Sequence, residues 1–143
     1  MKNGHPASDL LDTKLDVKVV LCGLWVTTLL VFAYVDIFGF YRADVINGVL
    51  AGEVSGTEFT IDQTFLVLTT LYIVVAALMV VVSLLAQARV NRIANIVVSL
   101  IYVVTATATL IGESWVYYIV GTLIEIALLL VIIRVAWAWP TST

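Results

Sequence analysis

Four long runs of almost unbroken apolar residues dominate the chain, separated by one long polar connection and two very short ones. A hydrocarbon layer of ~30 Å takes about 20 helical residues at 1.5 Å rise each. Four segments meet that length, at roughly 17–40, 63–85, 93–111 and 115–136. They leave a polar tail at 1–16 and a loop at 41–62, while "AQARVNR" and "GES" read as tight turns. Short turns oblige sequence neighbours to pack antiparallel. The expected fold is an all-α membrane protein, an up-down bundle of four transmembrane helices.

The loop "RADVINGVLAGEVSGTEFTIDQ" carries its own pattern. Val45, Ile46, Val49 and Leu50 fall at helical spacing ahead of Gly52, which predicts a short amphipathic helix at the outer interface. "EVSGTEFTI" alternates around Ser55 and Gly56 and suggests a small hairpin.

Within the spans, residues three, four and seven apart share a face. The third span lines up Asn95, Ser99, Tyr102, Ala106, Thr109 and Glu113. The second aligns Thr69, Tyr72, Ala76, Met79, Ser83 and Gln87. The fourth gives Tyr118, Gly121, Thr122, Glu125, Leu129 and Ile132, and the first Lys18, Cys22, Trp25, Leu29, Phe32 and Asp36. Membrane helices associate through small residues and interhelical hydrogen bonds, so these lines are expected to face one another.

Composition agrees with lipid as the solvent. Of 143 residues 62% are hydrophobic and 12% charged, against about a quarter charged in a soluble domain. The seven Lys and Arg are scattered and form no basic patch, so nucleic acid is not an expected partner. The expected partners are the lipid bilayer and either a second copy or another membrane protein. The start of the chain lacks the basic–apolar–small order of a secretory signal, so the first apolar run should persist as a span.

Charge also sets a direction. Lys2, Lys14, Lys18, Arg89, Arg92 and Arg134 fall on one side of four simple crossings. Asp36, Asp44, Glu53, Glu58, Asp62 and Glu113 fall on the other, with Arg42 its only cation. The positive-inside rule then places both termini in the cytoplasm, across a plasma (inner) membrane. Trp115, Tyr117, Tyr118, Trp137 and Trp139 read as interfacial anchors, and Glu113 as a solvated turn residue.

Candidate chemistry is sparse. One cysteine, Cys22, and one histidine, His5, leave no basis for a disulfide, a haem pair or a zinc site, and no cofactor or metal is expected. The chain shows no phosphate-cradling glycine loop and no nucleophile with its base, which points away from an enzyme.

Glu125 stands apart, at mid-depth of the fourth span, where a carboxylate costs ~3 kcal/mol to insert. Arg134 is no partner along the helix: nine residues turn it by about 900° and separate the two by roughly 13 Å. Tyr72, Tyr102 and Ser99 lie near its level. Glu125 is therefore expected to be the neutral acid, donating a hydrogen bond to one of these hydroxyls or to a backbone carbonyl. A mid-membrane acid marks a proton relay or a substrate site, or else fixes helix register. The candidate residues are Glu125, Tyr102, Tyr72, Tyr118, Asp36 and Asn95. Of these, Asp36 is read as anchoring a helix end or loop.

"YVDIFGFY", "NRIANI", "YYIVGTLIEI" and "AWAW", in that order, resemble a group of small bacterial and archaeal four-span membrane proteins known only as a domain of unknown function. The likeness runs from Leu24 to Trp139 and implies a four-helix inner-membrane protein without supplying an activity. Such proteins sometimes carry an acid in the second span. Here "YIVVAALMVV" has none, which argues against a proton path between two carboxylates. Small multidrug exporters are similar in size alone, since their essential glutamate lies in the first span. The expected function is an accessory or structural membrane subunit. The alternative is a proton-coupled transporter of small or lipophilic solutes that uses Glu125. A quinone- or lipid-handling redox role would lack its ligands.

Overall fold

The computed structural model describes residues 14–140, so most of the polar tail, with Lys2 and His5, lies outside the described residues. The elements are α1 (Val17–Gly39), α2 (Ala43–Ala51), α3 (Gln63–Leu85), α4 (Ala88–Thr109) and α5 (Val116–Trp137). All but α2 are long and apolar enough to cross a membrane. Among the described residues no strand forms. The hairpin expected in the loop reduces to a single bridge between Glu53 and Thr60, with a turn at Val54–Thr57.

Helix ends follow from local chemistry. Asp16 caps α1 by accepting the Lys18 N–H at 2.8 Å, and Asp62 caps α3 by accepting from Phe65 at 2.7 Å. Gly52 ends α2 in the left-handed conformation at φ 76°, which a residue without Cβ adopts freely.

The start of α4 departs from the hydropathy reading. The helix begins at Ala88 rather than near residue 93, so Arg89, Asn91 and Arg92 belong to it. Asn91 makes this possible. Its amide donates to the carbonyls of Ser83 at 2.6 Å, which the end of α3 leaves open, and of Val82 at 3.2 Å, which also accepts the Ala86 N–H.

The four long helices close unevenly. α4 packs along α5, α5 along α1, and α1 along α3, while α3 and α4 make few close backbone approaches despite their two-residue connection. Long side chains bridge the two helices instead, at Tyr72 with Thr105 and Tyr102. Lys18 Nζ, at the start of α1, donates to the Ala86 carbonyl at 2.8 Å beyond the end of α3. Between α5 and α1, Gly121 seats Val35 so closely that a Cβ there would overlap the valine methyl.

The core runs through Leu21, Trp25, Ala76, Met79, Tyr102, Leu129, Ile132 and Ala136. The outer surface is leucine, valine and isoleucine, including Leu66, Val74, Leu78, Leu100 and Val104. Such a surface is stable only in hydrocarbon.

The polar stripes turn inward as expected, with Asn95, Ser99, Tyr102, Ala76, Met79, Ser83, Thr122 and Glu125 buried, but hydroxyl bonding is mostly local. Thr27, Thr28, Thr69, Thr70, Thr105, Thr107 and Thr109 each donate to a carbonyl three or four residues back in their own helix. Interhelical bonding falls to fewer, longer side chains. Asn95 Oδ1 accepts from Trp25 Nε1 at 2.7 Å and from the Ser83 hydroxyl at 3.4 Å, while its Nδ2 donates to Asn91 Oδ1 at 2.7 Å. Ser99, one turn on, is buried with no partner.

Candidate functional site

Where α3 and α4 diverge, in the half of the bundle nearest α2, they leave a partly open cleft of about 670 Å³. Helical spacing supplies each wall. Tyr118, Thr122 and Glu125 descend one face of α5, and Phe32, Val35 and Asp36 one face of α1. Phe65, Leu68, Thr69 and Tyr72 come from α3, Thr105, Ala106 and Thr109 from α4, and Phe59 from the loop.

Glu125 is 5% exposed at the back of this cleft, and its carboxyl makes no hydrogen bond to any described residue. The expected partners are engaged elsewhere. The Tyr72 hydroxyl pairs with Thr105 Oγ1 at 2.6 Å, and the Tyr102 hydroxyl donates to the Tyr72 carbonyl. Ser99 reaches nothing. The reason is register: Tyr72 and Tyr102 turn toward each other's helix along the α3–α4 seam and away from the carboxyl.

Asp36 also differs from its expected role. It anchors no loop and makes no hydrogen bond among the described residues. Instead it is exposed into the same cleft as Glu125. Two carboxylates thus share one cavity although the second span holds none.

The remaining candidates divide. Tyr72 and Tyr118 line the cleft. Tyr102 stands behind it, stacked on Tyr72 at 4.4 Å and on Phe32 at 6.0 Å, edge-on to Trp25. Asn95 lies in the opposite half, all its bonding capacity spent on Trp25, Ser83 and Asn91. Thr105 and Phe65 line the cleft and carried no signal in the sequence, because only the gap between two helices exposes them to it.

The chain belongs to DUF6326, a family of unknown function.

Its family model matches residues 10–143. No curated protein and no solved structure matches this DUF6326 chain.

Above the cleft, outside the long helices, sits a polar clamp. Arg42 pairs with Asp44 at 2.6 Å and with Glu113 at 3.1 Å, and its guanidinium lies 4.7 Å over the Trp115 ring. This ties the α1–α2 junction to the α4–α5 turn. The hydrogen bond to Asp44 is the main cause of a raised Arg42 pKa, and the same bond holds Asp44 below the usual carboxylate range. Burial pushes Glu113 up, but bonds from the Trp115 and Ser114 N–H groups and from Arg42 outweigh it and leave the carboxyl lowered. Glu113 is therefore a paired residue rather than a solvated one.

Proposed function

We propose that this is a multi-pass plasma-membrane protein, with both termini cytoplasmic, that moves a small amphiphilic solute in exchange for a proton at Glu125. One observation carries the reading: a carboxyl group 5% exposed and without a hydrogen-bond partner faces a cleft of about 670 Å³. Pockets of this size hold ligands of drug-like dimensions, and an intramembrane acid facing one suggests a substrate or proton pathway. Proton and solute would compete for the same carboxyl oxygens, which is the basis of coupling. The gap between α3 and α4 offers a route from the lipid.

An accessory-subunit role is favoured by the other half of the bundle, where Trp25, Ser83, Asn91 and Asn95 form a buried network that bonds to itself. Glu125→Gln separates the two. A transporter variant keeps its fold and thermostability but loses solute flux driven by a pH gradient in proteoliposomes. An accessory subunit shows no flux to lose. Wild-type protein that carries no proton-linked flux of amphiphiles would remove the transporter reading. The orientation is tested after replacing Cys22. Cysteines at Ser55 and Ser114 should react with impermeant reagents from outside the cell and one at Ala88 should not; the reverse pattern inverts it.

A further inference from the structure

Resting on the reading of the cleft as a ligand site, we propose that its ligand is a lipophilic monocation, an organic ammonium whose head pairs with Glu125 and Asp36. Charge is the first ground. The cleft is lined by two carboxyl groups, and among the described residues no Lys, Arg or His lines it. An anion would find no countercharge there.

Hydrogen-bonding capacity is the second ground. The Thr69, Thr105 and Thr109 hydroxyls donate to carbonyls of their own helices, and the Tyr72 hydroxyl is paired with Thr105. A neutral polar ligand would find most donors already spent. Glu125, buried and without a partner among the described residues, is left as an acceptor best met by an ammonium, which brings both a donor and a countercharge.

Ring chemistry is the third. Phe32, Phe59, Phe65, Tyr72 and Tyr118 reach the cavity from α1, the loop, α3 and α5. Their negative π faces suit a weakly hydrated ammonium, and their edges suit the hydrocarbon attached to it.

Protons then act as competitors. The titratable groups around Glu125 are Asp36 from α1, Tyr72 from α3 and Tyr118 from α5 itself, while α4 contributes only threonines and Ala106. Acidification protonates the two carboxylates before any other group in the cleft changes charge, so it weakens binding of the cation.

The test uses full-length protein in nanodiscs, with equilibrium dialysis of three probes of equal chain length: dodecyltrimethylammonium, 1-dodecanol and dodecanoate. Retention by protein-free nanodiscs is subtracted. The expected result is specific retention of the ammonium alone, weakening as pH falls and reduced by about tenfold or more in Glu125→Gln. Asp36→Asn should weaken it to a lesser degree. The charge series on the wild-type protein stands even if a variant fails to fold. Equal retention of dodecanol and the ammonium, with no pH dependence, would overturn the cation proposal while leaving the cleft as a ligand site. Preference for dodecanoate would overturn it likewise. Retention of none of the three would overturn both readings.

Discussion

Asn95→Leu should be the most damaging conservative substitution in the bundle, although it exchanges a polar residue for an apolar one of similar size in a membrane protein. The magnitude follows from what it orphans. Trp25 and Asn91 are both fully buried. Removing the Asn95 amide leaves the indole N–H without its acceptor and Asn91 Oδ1 without its donor. The Ser83 bond, at 3.4 Å, is already marginal and contributes little. Two buried unsatisfied groups at about 1–3 kcal/mol each set a ceiling of about 6 kcal/mol.

Within lipid, interhelical bonds average ~0.6 and reach ~1.7 kcal/mol, because the unfolded helices also find partners there. The one well-formed interhelical bond, from Trp25, then gives about 0.6–1.7 kcal/mol, and the bond to Asn91 within α4 adds to it. We expect a loss near 2 kcal/mol, read by reversible unfolding in mixed micelles. A double-mutant cycle with Trp25→Phe isolates the pair, and the double variant should cost about 1 kcal/mol less than the sum of the singles. Ser99→Ala is the control: it deletes a buried hydroxyl that has no partner, and should be neutral or stabilising. The reasoning fails if Asn95→Leu unfolds like wild type, if the cycle is additive, or if Ser99→Ala is equally harmful.

Three further outcomes are expected. Gly121→Ala should destabilise by about 1–3 kcal/mol, because the new methyl overlaps a β-branched Val35 that has little rotamer freedom. Val35→Ala should restore most of the loss in the same unfolding assay, and no rescue would mean that α1 and α5 do not meet there. Arg42→Gln should lower the melting temperature through the loss of two ion pairs and a ring contact. The clamp also sets a pH dependence. Glu113 and Asp44 are lowered in the folded state, so their contribution is present at neutral pH and is lost as pH falls through those lowered values. Melting curves of wild type should converge on those of Arg42→Gln in acid; parallel curves at every pH would refute the clamp.

Much of the fold was legible because lipid imposes a length rule on apolar runs that needs no knowledge of neighbours. The bounds of α3 could be read from composition and its Asp62 cap. The amphipathic run before Gly52 similarly announced α2. The start of α4 was not legible, since polarity at Asn91 reads as a turn until the open Ser83 carbonyl at the end of α3 is in place to receive its amide. Glu125 was conspicuous as a mid-span charge, while Asp36 looked like a helix-end residue. The line it shares with Phe32 set Asp36 on the inward face of α1, but its place in one cleft with Glu125 depends on how α1 lies against α5.

The sequence by itself determined which segments leave water, where α1 and α3 begin on their carboxylate caps, and which faces carry polar groups. Those properties are local, set by solvation and by backbone bonding within one segment. Only the tertiary structure decided that α3 leans on α1 and parts from α4, that the phenols of Tyr72 and Tyr102 turn toward the α3–α4 seam, and that Glu125 faces space. Helix-to-helix angles arise from side chains meeting across elements, as with Val35 against Gly121. A single strand of sequence holds both residues but not their encounter.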